Sequence, residues 1–236
     1  MSTLYLIPCP IAENALHTVP TYAQEIARNL DIFIAERAKT ARHFIKSLSP
    51  ARPLQEMTWV EIPDNQSAEE ASEALRTAFE AGKNVGLLSE AGCPGVADPG
   101  AVVVALAHRL GMKVVPLVGP SSLLLALMAS GMNGQKFSFQ GYLPPTRPEL
   151  AKELRRLESN SRQQDQTQIF IETPYRSQMV LEVALESLQP STYFGVAQDI
   201  SGASEFIRSL PVRDWQRLGV KNLEKLPGVF MVYAGV

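Results

Sequence analysis

Short apolar runs alternate with amphipathic segments along the first half of the chain, and glycine or proline marks most of the changes between them. Leu4 to Ile7 reads as a buried strand that ends at Pro8-Cys9-Pro10. Val19 to Leu30 has helical spacing, Asp31 to Ala35 is a second strand, and a basic helix follows from Arg37 to Ser47. Met57 to Ile62 is a third strand. Ser67 and Glu70 have capping-box spacing and open a helix that runs to Ala81, with Gly82 as its stop. Asn84 to Ser89, Gly100 to Leu110 and Lys113 to Leu117 continue as strand, helix and strand. Strands separated by helices in this way form a mainly parallel sheet with helices on its faces.

The second half keeps this style with more strand. Lys136 to Tyr142, Gln168 to Ile171, Tyr193 to Ala197, Glu205 to Leu210 and Val229 to Ala234 read as strands, and Tyr175 to Leu188 as a helix. The polar stretch Ser159 to Gln168 reads as a solvated loop. The expected fold class is α/β: two α/β domains, 1–118 and 119–236, each a mixed or mainly parallel sheet flanked by helices.

Composition closes off several classes. With 45% hydrophobic and 19% charged residues the chain is globular rather than disordered. A net charge of −2 excludes a globally basic nucleic-acid binder, so any such contact must rest on a local patch. Cys9 and Cys93 are too few for a disulfide framework, and His17, His43 and His108 lie far apart, so no metal is expected. No charged segment precedes a long apolar stretch at the N-terminus, and Ser122 to Met132 is too short to span a bilayer. The expectation is a cytoplasmic protein without a membrane partner.

Three strand-to-helix loops carry the chemistry. Ser89-Glu90-Ala91-Gly92-Cys93-Pro94-Gly95-Val96-Ala97-Asp98-Pro99-Gly100 holds three glycines and two prolines in twelve positions, which fixes an unusual backbone path. It reads equally as backbone pressed against a ligand or as a tight structural loop, with Asp98 capping a helix that begins at Pro99. Val118-Gly119-Pro120-Ser121-Ser122 leads into an apolar helix whose N-terminus suits an acceptor group, although plain capping by Ser121 also explains it. Ile171-Glu172-Thr173-Pro174-Tyr175-Arg176 offers an aromatic wall and two charged groups, or simply a capped helix start. Dinucleotide, P-loop and nucleophile-elbow fingerprints are absent.

The order of these segments, with Leu4 to Ile11, Ala129-Ser130-Gly131 and Phe139 to Pro144, resembles the tetrapyrrole methylase superfamily of S-adenosylmethionine methyltransferases. Within it, the chain is most similar to the small-subunit ribosomal RNA methyltransferase I family, which methylates a cytidine 2′-hydroxyl. The resemblance implies a homodimer and a cofactor, S-adenosyl-L-methionine, in a cleft between the two domains. It assigns cofactor contacts to Pro8, Ser89, Glu90, Ala91, Gly92, Cys93, Ser121, Ser122, Tyr175, Ala197 and Gln198. Departures fall mostly on the substrate side. The family's Ser-Asp-Ala-Gly-Thr-Pro is Ser89 to Pro94 with Glu90 and Cys93 replacing Asp and Thr. Its Glu-Asp-Thr-Arg is Glu36-Arg37-Ala38-Lys39, Gly202 and Ala203 stand where lysines follow its Ala-Arg-Glu-Leu-Thr, and its C-terminal extension does not follow Val236.

A hydroxyl acceptor needs a base, for which Glu36 is the candidate, with Lys39 and Arg42 placing a phosphate of ribosomal RNA. The same three residues also fit a solvated helix face. Lys152, Arg155, Arg156 and Arg162 form a second basic stretch, interleaved with Glu149, Glu153 and Glu158 as in an exposed helix with internal ion pairs. Two alternatives stand beside the RNA enzyme. One is a methyltransferase of the same fold acting on a corrin precursor or a protein side chain. The other is a non-catalytic module that retains the cofactor site.

Overall fold

The computed structural model describes residues 2–62, 69–219 and 223–235, and the chain divides into two compact units, Met1–Ser121 and Ser122–Val236. Unit 1 runs β1 (Thr3–Ile7), α1 (Thr21–Arg28), β2 (Ile32–Ala35), α2 (Ala38–Ser47), β3 (Thr58–Glu61), α3 (Glu69–Glu80), β4 (Val85–Leu88), α4 (Ala101–Arg109) and β5 (Lys113–Pro116). Its strands lie in the order β3-β2-β4-β1-β5, every pair parallel.

Parallel strands joined through helices are covered on both faces, which is why all four residues of β4 are buried. Alternate residues divide between two cores. Ile7 and Phe33 join Ala23 and Ala27 of α1 and Phe44 and Ile45 of α2. Leu4, Ile34 and Leu87 join Leu75 of α3 and Val103 of α4. Gly86 sits where a Cβ would meet Ile7 Cδ1 at 2.7 Å and Phe33 Cδ1 at 2.9 Å, so its bare backbone leaves room for those two side chains. The capping pair Ser67–Glu70 cannot be followed, because Ser67 lies outside the described residues. At the far end of that helix, Gly82 adopts φ +65 as a helix stop requires.

Unit 2 runs α5 (Ser122–Ser130), β6 (Phe137–Tyr142), α6 (Arg147–Gln164), β7 (Thr167–Glu172), α7 (Ser177–Ser187), β8 (Tyr193–Gln198), β9 (Phe206–Pro211), α8 (Val212–Leu218) and β10 (Gly228–Tyr233). Its sheet is mixed, in the order β6-β7-β10-β8-β9, with only β6 and β7 parallel. Phe230 on the central strand stacks against Phe170 at 5.4 Å and lies 6.1 Å from Phe194. Leu150, Leu154 and Leu157 of α6 complete that core, and Trp215 of α8 donates from Nε1 to Phe194 O at 2.8 Å.

Two sequence expectations fail here. The stretch 159–168 is not a solvated loop. The helix α6 continues to Gln164, Asp165 closes it in the left-handed region, and β7 starts at Thr167. Its polar look misleads because Ser161 faces inward and accepts a hydrogen bond from Ala234 N at 2.8 Å. Nor is Glu158 one of a row of exposed ion pairs. It is buried, accepting from Gln189 N at 2.8 Å and from the Thr192 hydroxyl. The short helix α8 also went unread.

Replacing Glu158 by Ala strands two buried donors, each costly to leave unmade, so Glu158→Ala should lower unfolding free energy by about 2–3 kcal/mol. Urea denaturation measures this, and a loss below about 0.5 kcal/mol would show that water reaches both donors.

Candidate functional site

The register of unit 1 fixes where its loops begin. Ile7 and Ala35 both pair with Leu88, and Leu6 pairs with Pro116. The chain therefore leaves the sheet at Pro8, Glu36, Ser89 and Leu117 side by side along one carboxyl edge. That edge is where parallel α/β sheets place their ligands.

The loops at this edge interlock. Cys9 N donates to Gly92 O at 2.9 Å and Gly92 N to Cys9 O at 3.1 Å, an antiparallel bridge beyond the end of the parallel ladder. Gly92 has φ +76, a conformation that a side chain would strain. A Cβ on Gly119 would overlap Cβ and Cγ of Pro8, so the third loop packs directly on the first. The Cys93 thiol donates to Pro120 O at 3.3 Å, joining the second loop to the third. Ser89 Oγ donates to Ala91 O at 3.1 Å and holds the turn from inside. Asp98 does not cap the next helix, and Pro99 is not its first residue. α4 begins at Ala101, and Asp98 Oδ1 accepts from Gly95 N and Gly100 N, each at 2.8 Å, bracing the loop.

Burial sets the electrostatics. It pushes the Cys9 thiol up to about 12 and raises the Cys93 thiol as well. It also raises the Asp98 carboxyl, against the opposing pull of the Gly100 and Gly95 amides. Both cysteines are thus neutral packing groups at neutral pH rather than nucleophiles.

On the α2 side, Glu90 Oε1 accepts from Thr40 Oγ1 at 3.1 Å and lies 3.6 Å from Arg37 Nε. Those groups are exposed, so the contacts contribute position more than stability. Glu61, at the end of β3, accepts from Ala38 N at 2.7 Å and satisfies a donor at the start of α2. Glu36 is half-buried, Lys39 is exposed, and the exposed Arg42 holds its guanidinium 5.5 Å from the Trp59 ring centre.

Unit 2 gathers its own set. Gly228 pairs with Glu172 on one side and Gln198 on the other, so the Tyr175 loop and the end of β8 occupy one edge of that sheet. Leu226 O accepts from Ser177 Oγ at 3.2 Å and from Gln198 Nε2 at 2.8 Å. Gln198 Oε1 is buried with no hydrogen-bond donor among the described residues. Ala197 is buried beside it, while Tyr175 is 86% exposed. Glu172 and Arg176 serve the fold. Arg176 lies 3.1 Å from Glu172 Oε2 and donates to Pro144 O at 2.7 Å. Ser122 opens α5 and Ser121 precedes it, both half-buried.

The sequence reading missed the Glu61 cap and the reach of Cys93, which depend on partners 23 and 27 residues away. Glycine at 119 in a proline-flanked turn was the available signal for the close approach to Pro8. Among the described residues no group of three or more His, Cys, Asp or Glu is placed to hold a metal, and no helix is long and apolar enough to cross a membrane.

Comparison with known proteins adds a family. Residues 3–215 match the model of the tetrapyrrole (corrin/porphyrin) methylases. The chain is 29% identical over 209 residues to the ribosomal RNA small subunit methyltransferase I of Escherichia coli O157:H7, covering 89% of this chain and 69% of that protein. It is 32% identical over 208 residues to the protein of the same name from Bacillus subtilis strain 168, covering 88% and 67%. Its fold resembles the crystal structure of a diphthine synthase with a TM-score of 0.66 at 13% identity, over 99% of this chain and 90% of that one.

Two outcomes follow from the loop geometry. Gly119→Ala should cost about 1–3 kcal/mol by overpacking against Pro8, as read by denaturant melts. With both thiols raised by burial, less thiolate is present at pH 8 than in a free cysteine, so DTNB should label native protein more slowly than urea-unfolded protein. Equal rates would place the thiols in water.

Proposed function

The chain belongs to the tetrapyrrole (corrin/porphyrin) methylases, and on that premise we propose that it transfers a methyl group from S-adenosylmethionine to a ribose 2′-hydroxyl of small-subunit ribosomal RNA. The likeness to two proteins named for small-subunit ribosomal RNA methylation, each spanning nearly nine-tenths of this chain, carries the choice of substrate. The interlocked loops at the carboxyl edge of unit 1 support the choice of donor residues.

Pro8, Ser89, Glu90, Ala91, Gly92, Cys93 and Ser121 of unit 1 bind the donor in this reading. Gly92 holds the loop's backbone in the left-handed region, a path set before any donor arrives. S-adenosylmethionine supplies a methyl group already activated on a cationic sulfur. The protein's part is then alignment, because in-line geometry held in advance removes much of the barrier. The Cys9–Gly92 bridge and the Cys93 and Asp98 contacts hold the loop in that pre-set form.

Glu36, leaving β2 beside Ser89, accepts the proton of the acceptor hydroxyl. Lys39 and Arg42 hold a phosphate. The stacking of Arg42 on Trp59 uses the ring face and does not consume its N–H donors. A ribosomal substrate also implies work in the cytoplasm, and we propose a homodimer as the working form.

Calorimetry with S-adenosylhomocysteine should give micromolar binding, and its absence would end the donor assignment. On isolated small subunits and naked ribosomal RNA, Glu36→Ala should lower kcat by about 10²–10⁴ while leaving that binding intact. Lys39→Gln should weaken RNA binding and reduce the slope of log affinity against log salt by about one. An unchanged slope would remove Lys39 from the phosphate contacts.

A further inference from the structure

Unit 1 contains a cavity of about 830 Å³ between α2 and the segment that follows β1. None of the proposed base or phosphate residues lines it. Its apolar wall is built from Ile11, Leu16 and Phe44, and its polar edge from Thr40, His43 and Ser47 along one side of α2. Ala91 of the donor loop closes one end, and Glu13 is the acidic residue on its border. The size falls in the range of sites for small organic groups, and apolar walls with a few polar groups are what such sites offer.

Charge indicates which kind of group. The α2 sequence Ala38–Ser47 contains Lys39, Arg42 and Lys46 and no acid, in a chain of net charge −2. Lys39, His43 and Lys46 are spaced i, i+4 and i+7, so they form a single stripe beside Thr40, Phe44 and Ser47, and of the three His43 lines the cavity. The other basic helix face behaves differently. On α6, Arg156 is held by Glu153, and Arg147 reaches Glu182 at 3.0 Å and Glu186 at 3.1 Å. A polyanion therefore meets three cations and no acid within α2, and on α6 two of five cations that carboxylates already hold.

The wall is also tied to the donor loop. Thr40 lines the cavity and donates to Glu90, the residue before Ala91. An occupant of the cavity is thereby placed in register with that loop. Glu36 does not line it, so the acceptor hydroxyl lies outside.

Resting on the RNA reading above, we propose that this cavity receives the base of a nucleotide neighbouring the one methylated, with the phosphate backbone running along Lys39, His43 and Lys46. The apolar wall takes the face of the base, and Thr40, His43 and Ser47 meet its edge and ribose. The site then reads the sequence beside the target, which the donor loop cannot do.

Two variants test this. His43→Ala removes a rim group. Ser47→Trp fills the space from an exposed position whose hydroxyl, among the described residues, bonds only to Phe44 O in its own helix, at 2.7 Å. Each should raise KM for small-subunit RNA about tenfold, the scale of one lost base contact, with kcat and S-adenosylhomocysteine affinity within about twofold of wild type. A KM unchanged in both variants, while the parent protein methylates RNA, overturns the cavity assignment alone. Loss of S-adenosylhomocysteine binding in both would give the cavity to the donor and overturns it as well. A parent protein that binds S-adenosylhomocysteine but methylates neither subunit nor RNA brings down the RNA reading, and the cavity assignment with it.

Discussion

Two reciprocal hydrogen bonds between Cys9 and Gly92 hold the proposed donor site of unit 1 together. A parallel sheet delivers its chain ends along one edge, but nothing in the ladder itself prevents the loops from splaying once they leave it. The bridge extends pairing past the last ladder residues of β1 and β4 and makes two loops one object. It requires Gly92 in the left-handed region, so the glycine is demanded by backbone conformation. Gly119 is demanded by contact instead, since any side chain there collides with Pro8. The two glycines meet different needs, and together they fix three loops against one another. For a reaction whose electrophile arrives pre-activated, such rigidity would serve alignment at the proposed donor contacts.

The substitution of Glu90 and Cys93 into a pattern that otherwise carries aspartate and threonine follows the same logic. The longer acid reaches Thr40 on the first turn of α2 and Arg37 just before it. The thiol still reaches the Pro120 carbonyl that a hydroxyl in its place would be suited to meet. Burial keeps that thiol protonated, so it can donate. Both changes preserve the links between loops while altering their chemistry. With Glu61 holding the Ala38 amide, the start of α2 is anchored to both its neighbours on the sheet edge, β3 and β4.

Much of this was legible in the sequence, for a physical reason. Unit 1 is built from strands buried on both faces and helices with one apolar stripe, and such elements announce themselves by composition and period. The glycine–proline loops were visible because those residues constrain the backbone locally. What escaped were features whose cause lies far along the chain. Ser161 looks like a loop residue until Ala234, 73 positions later, supplies its donor. Glu158 looks like a surface charge until Gln189 and Thr192 arrive to bury it. Asp98-Pro99 looked like a helix start, yet Asp98 turns back to the amides of its own loop. Polar residues that satisfy distant backbone carry no period, so local pattern misreads them as solvent-facing.

Net charge is the coarsest of these signals, and here it hides the relevant one. A total of −2 argues against a polyanion partner only if charge is spread evenly. Attraction to a phosphate backbone depends on charges within a screening length of about 8–10 Å, not on the sum over the molecule. On α6 Arg147 and Arg156 are already neutralised by carboxylates at contact distance, so an approaching phosphate gains little from those two. On α2 three cations share ten residues with no acid among them, and the Trp59 ring holds one of them without cancelling its charge. In the proposed reading the phosphate chain therefore runs along α2. The same helix borders the proposed donor loop through Thr40 and Glu90, so in the proposed reading electrostatic attraction and chemical alignment act at one place in unit 1.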